Sequence, residues 1–534
     1  MNNNEVKQKF FRLVCLLTTI SAFVVMFFLK TDSTAAQKTE FIVGFDAEFP
    51  PYGYMDESGE YVGFDLSLAE EVCKRNGWTF VKRPIAWDSK DSELESGAIS
   101  CIWNGFTMNG REDKYTWSTP YVDNSQVVIV RKDSGIEKLT DLSDKIVIVQ
   151  NDSSALAALT GDDATDENKA LAKSFRELQQ VEDYNSALMT LESGMADAVA
   201  MDIGVATYQI KGREDTFVML DERLSAEEYG IGFKTGNTEL RDQVQLTLLV
   251  MLHDGTYEKI AKDWGLEESI CLSEENATYI DGQNVPKVDE TALKELAANS
   301  SETKEENNNT EKSDSKNQWS LFVVAKHLSK GMIATLSIFI LTLLFSMPLG
   351  LLIAAIRMSR FSVLQWIAKI YISIMRGTPL MLQLLVVFFA PFYLFSLSMP
   401  YSYRFTAVII GFSLNYAAYF AEIYRSGIQS IPNGQREAAQ VMGYSRSQTF
   451  FRIIFPQMVK RVLPPVTNEV ITLVKDTSLA FALAYTEMFT LAKQIAASQK
   501  SLMPLFVAGI FYYVFNFIVA FVMERLENKL NYYQ

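Results

Sequence analysis

The strongest constraint on this chain is a set of apolar runs in its C-terminal part. Gly331–Ile356 contains no Asp, Glu, Lys or Arg. A helix needs about 20 mostly apolar residues to cross the hydrocarbon core of a bilayer. Inside lipid each backbone N–H and C=O must be satisfied internally, so such a run is expected as a helix. Gly377–Tyr403 and Leu502–Met523 are equally charge-free, and Phe405–Ala421 is shorter but adequate. Val462–Tyr485 is apolar yet carries Glu469, Lys475 and Asp476. These charges are costly in hydrocarbon unless they face the interior, where they line a pathway or pair with one another. The expectation is an all-α membrane domain of about five transmembrane helices over residues 319–534.

Charge divides the chain in the same way. Residues 319–534 hold 18 Lys+Arg against 7 Asp+Glu, whereas residues 37–318 hold 27 against 55. A basic apolar part and an acidic polar part argue for two environments, lipid for one and water for the other, and against nucleic acid as a partner. The segments 357–376 and 422–461 and the tail hold 12 Lys+Arg. The opposite flanks hold five, namely Lys326, Lys330, Arg404, Lys493 and Lys500. Positive charge stays on the cytoplasmic side, so the acidic part is expected on the extracellular face of the cell membrane.

Residues 1–36 agree with that orientation. Lys7, Lys9 and Arg12 precede the apolar run Leu13–Leu29, and Thr34-Ala35-Ala36 follows. This pattern reads as a signal peptide or a membrane anchor. Cys15 has no lipoprotein-type small-residue context. None of the four cysteines sits at CxxC spacing, and there are two histidines, so no metal site or cofactor is expected. Cys73 and Cys101 are open to two readings, a disulfide in an exported domain or two buried thiols.

Between these regions, short β-like runs alternate with helical periodicity. Phe41–Phe45, Ile99–Asn104, Lys145–Gln150 and Ala196–Met201 read as strands, and Asp65–Gly77 reads as a helix ending at Asn76-Gly77. Repeated alternation over residues 37–270 predicts an α/β domain with parallel sheets. Residues 271–318, which end in AANSSETKEENNNTEKSDSKNQ, offer little to bury. They are expected to form a flexible acidic linker.

Two stretches carry the function. The first is Tyr419–Ser478, with Glu437-Ala438-Ala439, Gly443 and Phe455-Pro456 inside it. Gly434–Met442 and Ser445–Ile454 are helix-like, Gly443 supplies a turn, and Pro456 is a stop. This stretch resembles the cytoplasmic coupling loop of ABC importer permeases. Arg376-Gly377-Thr378-Pro379-Leu380 and Lys475-Asp476-Thr477-Ser478-Leu479 resemble polar amino-acid permeases in particular. The resemblance implies that a separate ABC ATPase chain drives the loop, since no G-x-x-x-x-G-K-[ST] phosphate loop occurs. It also implies a second permease chain, as in a homodimer, in contact with membrane lipid.

The second stretch is Phe41–Gly265. Gly44–Tyr52 (GFDAEFPPY), Gly63-Phe64-Asp65, Asn104–Thr107, Arg111 and Gly194–Ala198 resemble polar amino-acid binding proteins. That family folds as two α/β lobes that clamp a ligand, a periplasmic-binding-protein-like architecture. A zwitterion needs a cation for its carboxylate and an anion for its ammonium. Arg111 suits the first, since a guanidinium offers paired donors. Asp202, expected at the C-terminal end of a strand, suits the second. Thr107, the Gly105 backbone and Ser153 are expected to add donors. The resemblance implies Phe49 and Trp87 as aromatic walls and Asp46 at the side-chain end of the ligand. Asp152 stands where the family has glycine and adds negative charge at the mouth.

The function expected is uptake of a polar amino acid, with no catalytic residues. The alternative is a ligand-binding membrane sensor, but only Glu524–Gln534 follows the last span. A ligand-gated channel would interrupt the binding domain, and this one is contiguous.

Overall fold

The computed structural model describes residues 39–267, 269–275, 277–301, 320–395 and 401–530. The expected signal peptide or anchor and the end of the expected linker lie outside them.

The N-terminal domain forms around nine strands and seven helices that matter for the site. In chain order the strands are β1 (Glu40–Phe45), β2 (Glu48–Phe49), β3 (Thr79–Pro84), β4 (Cys101–Thr107) and β5 (Val122–Arg131). They continue with β6 (Ile146–Gln150), β7 (Glu177–Val181), β8 (Ala198–Asp202) and β9 (Ser225–Phe233). The helices are α1 (Phe64–Asn76), α2 (Lys90–Glu95), α3 (Ser154–Thr160), α4 (Tyr184–Glu192), α5 (Ile203–Ile210), α6 (Thr238–His253) and α7 (Glu290–Ser301). Gly77, at φ 68°, closes α1 in the left-handed conformation that glycine adopts without penalty.

The main sheet runs β7-β6-β8-β5-β9-β4-β1-β3. Each end is parallel, β1 with β3 and β4, and β6 with β7 and β8. In the middle β5 and β9 run antiparallel to each other and to their neighbours. The sheet is therefore mixed, where sequence alternation alone suggested parallel sheets. The reason is mechanical: two long strands must pass from one α/β lobe to the other, and their pairing through Ser225–Tyr229 and Val122–Gln126 forms the hinge. The central strands are buried on both faces, as in Val127–Val130 and Ala198–Met201. Cys73 and Cys101 are buried free thiols in this core.

Part of the segment expected as linker, within residues 271–301, packs on the binding domain. Leu272 and Tyr279 are buried, and Arg241 pairs with Asp281 at 3.1 Å and donates to Gln283 at 2.7 Å. Helix α7 lies against α1 and α6, with Asn299 donating to the Arg75 carbonyl at 2.7 Å. The few apolar residues of this segment suffice because the lobe supplies the facing surface.

The membrane domain comprises α8 (Leu321–Arg357), α9 (Ser362–Gly377), α10 (Leu380–Phe395), α11 (Tyr401–Gln429), α12 (Asn433–Val441), α13 (Arg446–Thr449), α14 (Phe455–Asp476), α15 (Met488–Gln499) and α16 (Met503–Leu530). Among the described residues, three helices are long and apolar enough to cross a membrane, or four if the bent pair α9–α10 is one span. That pair turns by 114° between Gly377 and Leu380. The expected span Val462–Tyr485 corresponds mostly to α14, which is too polar to qualify alone and packs against α11 and α16.

The two domains are in contact. Arg404 on α11 pairs with Glu93 of α2 at 2.5 Å and donates to the Pro84 carbonyl at 3.1 Å. Tyr61 donates to Gln494 at 3.1 Å, and a His327 ring nitrogen lies 3.1 Å from the Glu57 carbonyl.

Candidate functional site

Strand ends from both lobes open onto one narrow cleft. Asp46, Phe49, Trp87, Gly105, Thr107, Arg111, Ser153 and Asp202 all line it. The structure thus brings together every ligand-site residue expected from the sequence.

Asp202 ends β8 and is buried. It accepts hydrogen bonds from Asn124 Nδ2 at 2.9 Å, Gln126 Nε2 at 2.6 Å, Tyr184 Oη at 3.0 Å and Tyr229 Oη at 2.7 Å. Three of those four donors stand on the hinge strands, so the carboxylate is fixed where the lobes meet. Among the described residues no lysine or arginine pairs with it. Thr107, at the end of β4, donates to Glu227 at 2.8 Å, and Glu227 also accepts from Gln126 at 3.2 Å. Burial, with Asp202 nearby, raises the Glu227 pKa above the ordinary carboxylate value.

Arg111 reaches across the cleft. Its guanidinium lies over the Phe106 ring at 5.2 Å and donates to the Thr107 carbonyl at 3.3 Å, the Ser154 hydroxyl at 3.4 Å and the Asp152 carbonyl at 3.3 Å. Gly110, at φ 75°, permits the tight turn before it. Ser153 caps α3, accepting from Leu156 N–H at 3.2 Å. Asp152 has φ 52°, in the left-handed region that aspartate tolerates better than most residues. Its carboxylate pairs with Lys90 of the other lobe, so its charge is compensated rather than left at the mouth.

Phe49 packs against Tyr52 and Tyr184, and Trp87 meets the Phe106 ring edge-on at 5.5 Å. Asp46 accepts from Glu48 N–H at 2.8 Å, and burial raises its pKa to about 6. One expected detail is corrected. The Gly105 N–H donates to buried Asp65 at 2.6 Å, so this amide orients the loop instead of facing a ligand.

Sequence reading missed Tyr184, Gln150, Glu227 and Lys90. Their segments carry no distinctive spacing, and they reach the site only through side-chain direction.

In the membrane domain, Glu437 and Ala438 are exposed on α12 while Ala439 is buried. Gly443 turns the chain at φ 77°. Ser445 then opens α13 with a capping box to Gln448. Pro456 does not end this helix as expected. A π turn at Phe450–Ile454 leads directly into α14, and Pro456 sits in its first turn, where a missing N–H costs nothing. Val441 and Met442 protrude at 89% and 75% exposure, an apolar tip absent from the sequence reading. Of the buried-charge candidates, Asp476 accepts from Tyr416 at 2.6 Å, and Glu469 lines a cavity with Arg376, Tyr419 and Arg461.

The fold and the cleft define a two-lobed solute clamp joined to a helical membrane transporter. Residues 41–267 match the model of bacterial extracellular solute-binding proteins, family 3. Residues 346–532 match that of the binding-protein-dependent transport system inner membrane component. The chain is 36% identical over 208 residues to the L-cystine transport system permease protein TcyB of Bacillus subtilis, covering 39% of this chain and 87% of that one. It is 35% identical over 202 residues to the arginine transport system permease protein ArtQ of the same organism, covering 38% and 91%. An ancestral arginine-binding protein bound to glutamine shares 32% identity, covering 43% of this chain and 100% of that one at a TM-score of 0.39. The chain belongs to the amino-acid ABC transporter permeases, with an extracellular-type solute-binding domain fused ahead of the membrane domain.

Proposed function

We propose that this chain is the receptor and permease subunit of an ATP-driven importer of a polar amino acid. The observation that carries the proposal is the cleft, where Arg111 and Asp202 offer opposite charges within one enclosed interlobe space. Arg111 takes the ligand carboxylate, with Ser153 and Thr107 beside it, and Asp202 takes the ammonium. Phe49 and Trp87 wall the side chain, and Asp46 meets its polar end. Residues 37–270 then form the binding domain on the extracellular face, 319–534 the permease domain, and 1–36 the signal peptide or anchor.

The permease passes the ligand inward when a separate ABC ATPase acts on Glu437, Ala438, Ala439, Gly443 and Pro456. The protruding Val441 and Met442 form one exposed apolar tip that fits a protein partner. A homodimer in the lipid bilayer gives each pore two tethered receptors, at effective concentrations in about the millimolar range.

The test is calorimetric titration of the full chain in nanodiscs with the twenty amino acids, cystine and ornithine, followed by ATPase measurements in the reconstituted complex. Micromolar or tighter binding of one polar class is expected, together with ligand-stimulated ATP hydrolysis that disappears when Gly434–Pro456 is deleted. Stimulation that survives the deletion refutes the coupling.

A further inference from the structure

Between the binding domain and the membrane domain lies a second cavity, and Asp46 and Trp87 line both it and the ligand cleft. Into this cavity the membrane domain sends one cation, Lys493 of α15. Its Nζ lies 3.6 Å from Glu48, 3.4 Å from Glu182 and 3.6 Å from Asp183. Glu48 belongs to β2 of the first lobe. Glu182 and Asp183 follow β7 in the second, where Asp183 caps α4. The Lys493 side chain is 17% exposed, and the Phe481 ring lies 5.5 Å from its ammonium.

Among the described residues, other polar contacts between the domains hold one lobe each. Arg404 pairs with Glu93, and Gln494 accepts from Tyr61, both in the first lobe. Lys500 donates to the Tyr208 and Lys211 carbonyls at the end of α5 in the second lobe. Lys493 alone among these spans the mouth. Closing the lobes brings carboxylates of both into one partly desolvated space, where like charges repel. A cation placed between them offsets that repulsion only while the lobes are together. Opening separates the two carboxylate sets and leaves the ammonium with one of them.

We infer that Lys493 is the positioning residue by which the membrane domain reads lobe closure, so that docking and ligand capture favour each other. The inference rests on the ligand clamp proposed above. Linkage makes the effect reciprocal: a contact that favours the closed clamp tightens ligand binding, and bound ligand tightens docking.

The test is titration of the full chain in nanodiscs with L-glutamine, L-arginine, L-lysine, L-histidine and L-cystine. For whichever of these binds the wild type, Lys493→Gln should weaken affinity about tenfold, within the usual range of coupling between sites. Binding stoichiometry should remain that of the wild type. Lys493→Arg should restore affinity to within about twofold, because a cation of similar reach replaces the ammonium. Glu182→Lys, at a half-exposed side chain whose change leaves the core intact, should weaken binding in the same direction. Tyr61→Phe removes the hydrogen bond to Gln494, which touches one lobe, and should change affinity less than about twofold. Wild-type affinity in both Lys493→Gln and Glu182→Lys overturns the inference and leaves the clamp standing. A wild-type chain that binds none of the five ligands overturns the clamp and this inference together.

Discussion

Asp202 and Arg111 show how much of a binding site rests on one side chain each. Asp202 holds four donors in fixed directions and faces no protein cation among the described residues. Replacement by asparagine keeps the shape but removes the charge. Asp202→Asn should weaken amino-acid binding about 100-fold, the usual cost of losing one partner of a buried charge pair. Arg111→Ala should do at least as much, and calorimetric titration of both variants checks this. Asp65 tests the supporting layer. Burial raises its carboxyl to about 7, while an unfolded aspartate titrates near its ordinary value of 3.8. Between those values the folded state binds more protons than the unfolded state, so Asp65 makes stability fall as pH rises from about 4 to about 7. Asp65→Asn retains an acceptor for the Gly105 amide and should flatten that slope in thermal unfolding followed across pH. The cleft residues found from sequence lie in distinctive strings such as Gly44–Tyr52 and Asn104–Thr107. Tyr184 and Glu227 lie in undistinguished segments, and only their side-chain directions bring them to the site.

At the scale of elements, the hairpin α12–Gly443–α13 carries the exposed apolar tip of the proposed coupling site. Gly443 sits at φ 77°, where a β-branched residue costs about 1–2 kcal/mol. Gly443→Val should therefore distort the turn and lower ligand-stimulated ATPase activity severalfold, while ligand affinity measured by titration stays unchanged. Met442→Asp should have the same signature through a different cause, the charge placed on an apolar contact. Both helices of the hairpin were legible from their periodicity and the intervening glycine. The continuation through Pro456 was not, because a proline reads as a stop in sequence and is also favourable in a first turn. Helix α7 was hidden in a polar segment for a related reason: its stability comes from the surfaces of α1 and α6, not from its own composition.

At the scale of the whole molecule, the decisive contact is between domains. Arg404 and Glu93 are 3% and 2% exposed and lie 2.5 Å apart. Removing Arg404 takes the paired cation from buried Glu93, and breaking such a pair typically costs about 3–5 kcal/mol. Arg404→Ala should therefore release the binding domain from the membrane domain, visible as faster proteolysis at the domain junction. Little rescue is expected from low salt, since a pair this buried is poorly screened to begin with.

The sequence by itself determined the two environments, the order of the domains and the residue types of the cleft. These follow from local quantities: run length, net charge, periodicity and motif spacing. Only the tertiary structure decided the mixed sheet, the Lys90–Asp152 pair across the lobes and the Lys493 contacts across the mouth. Each joins residues far apart in the chain, and no local pattern records which distant carboxylate a given cation will meet. That choice is made by the packing of two lobes and a helical domain against one another.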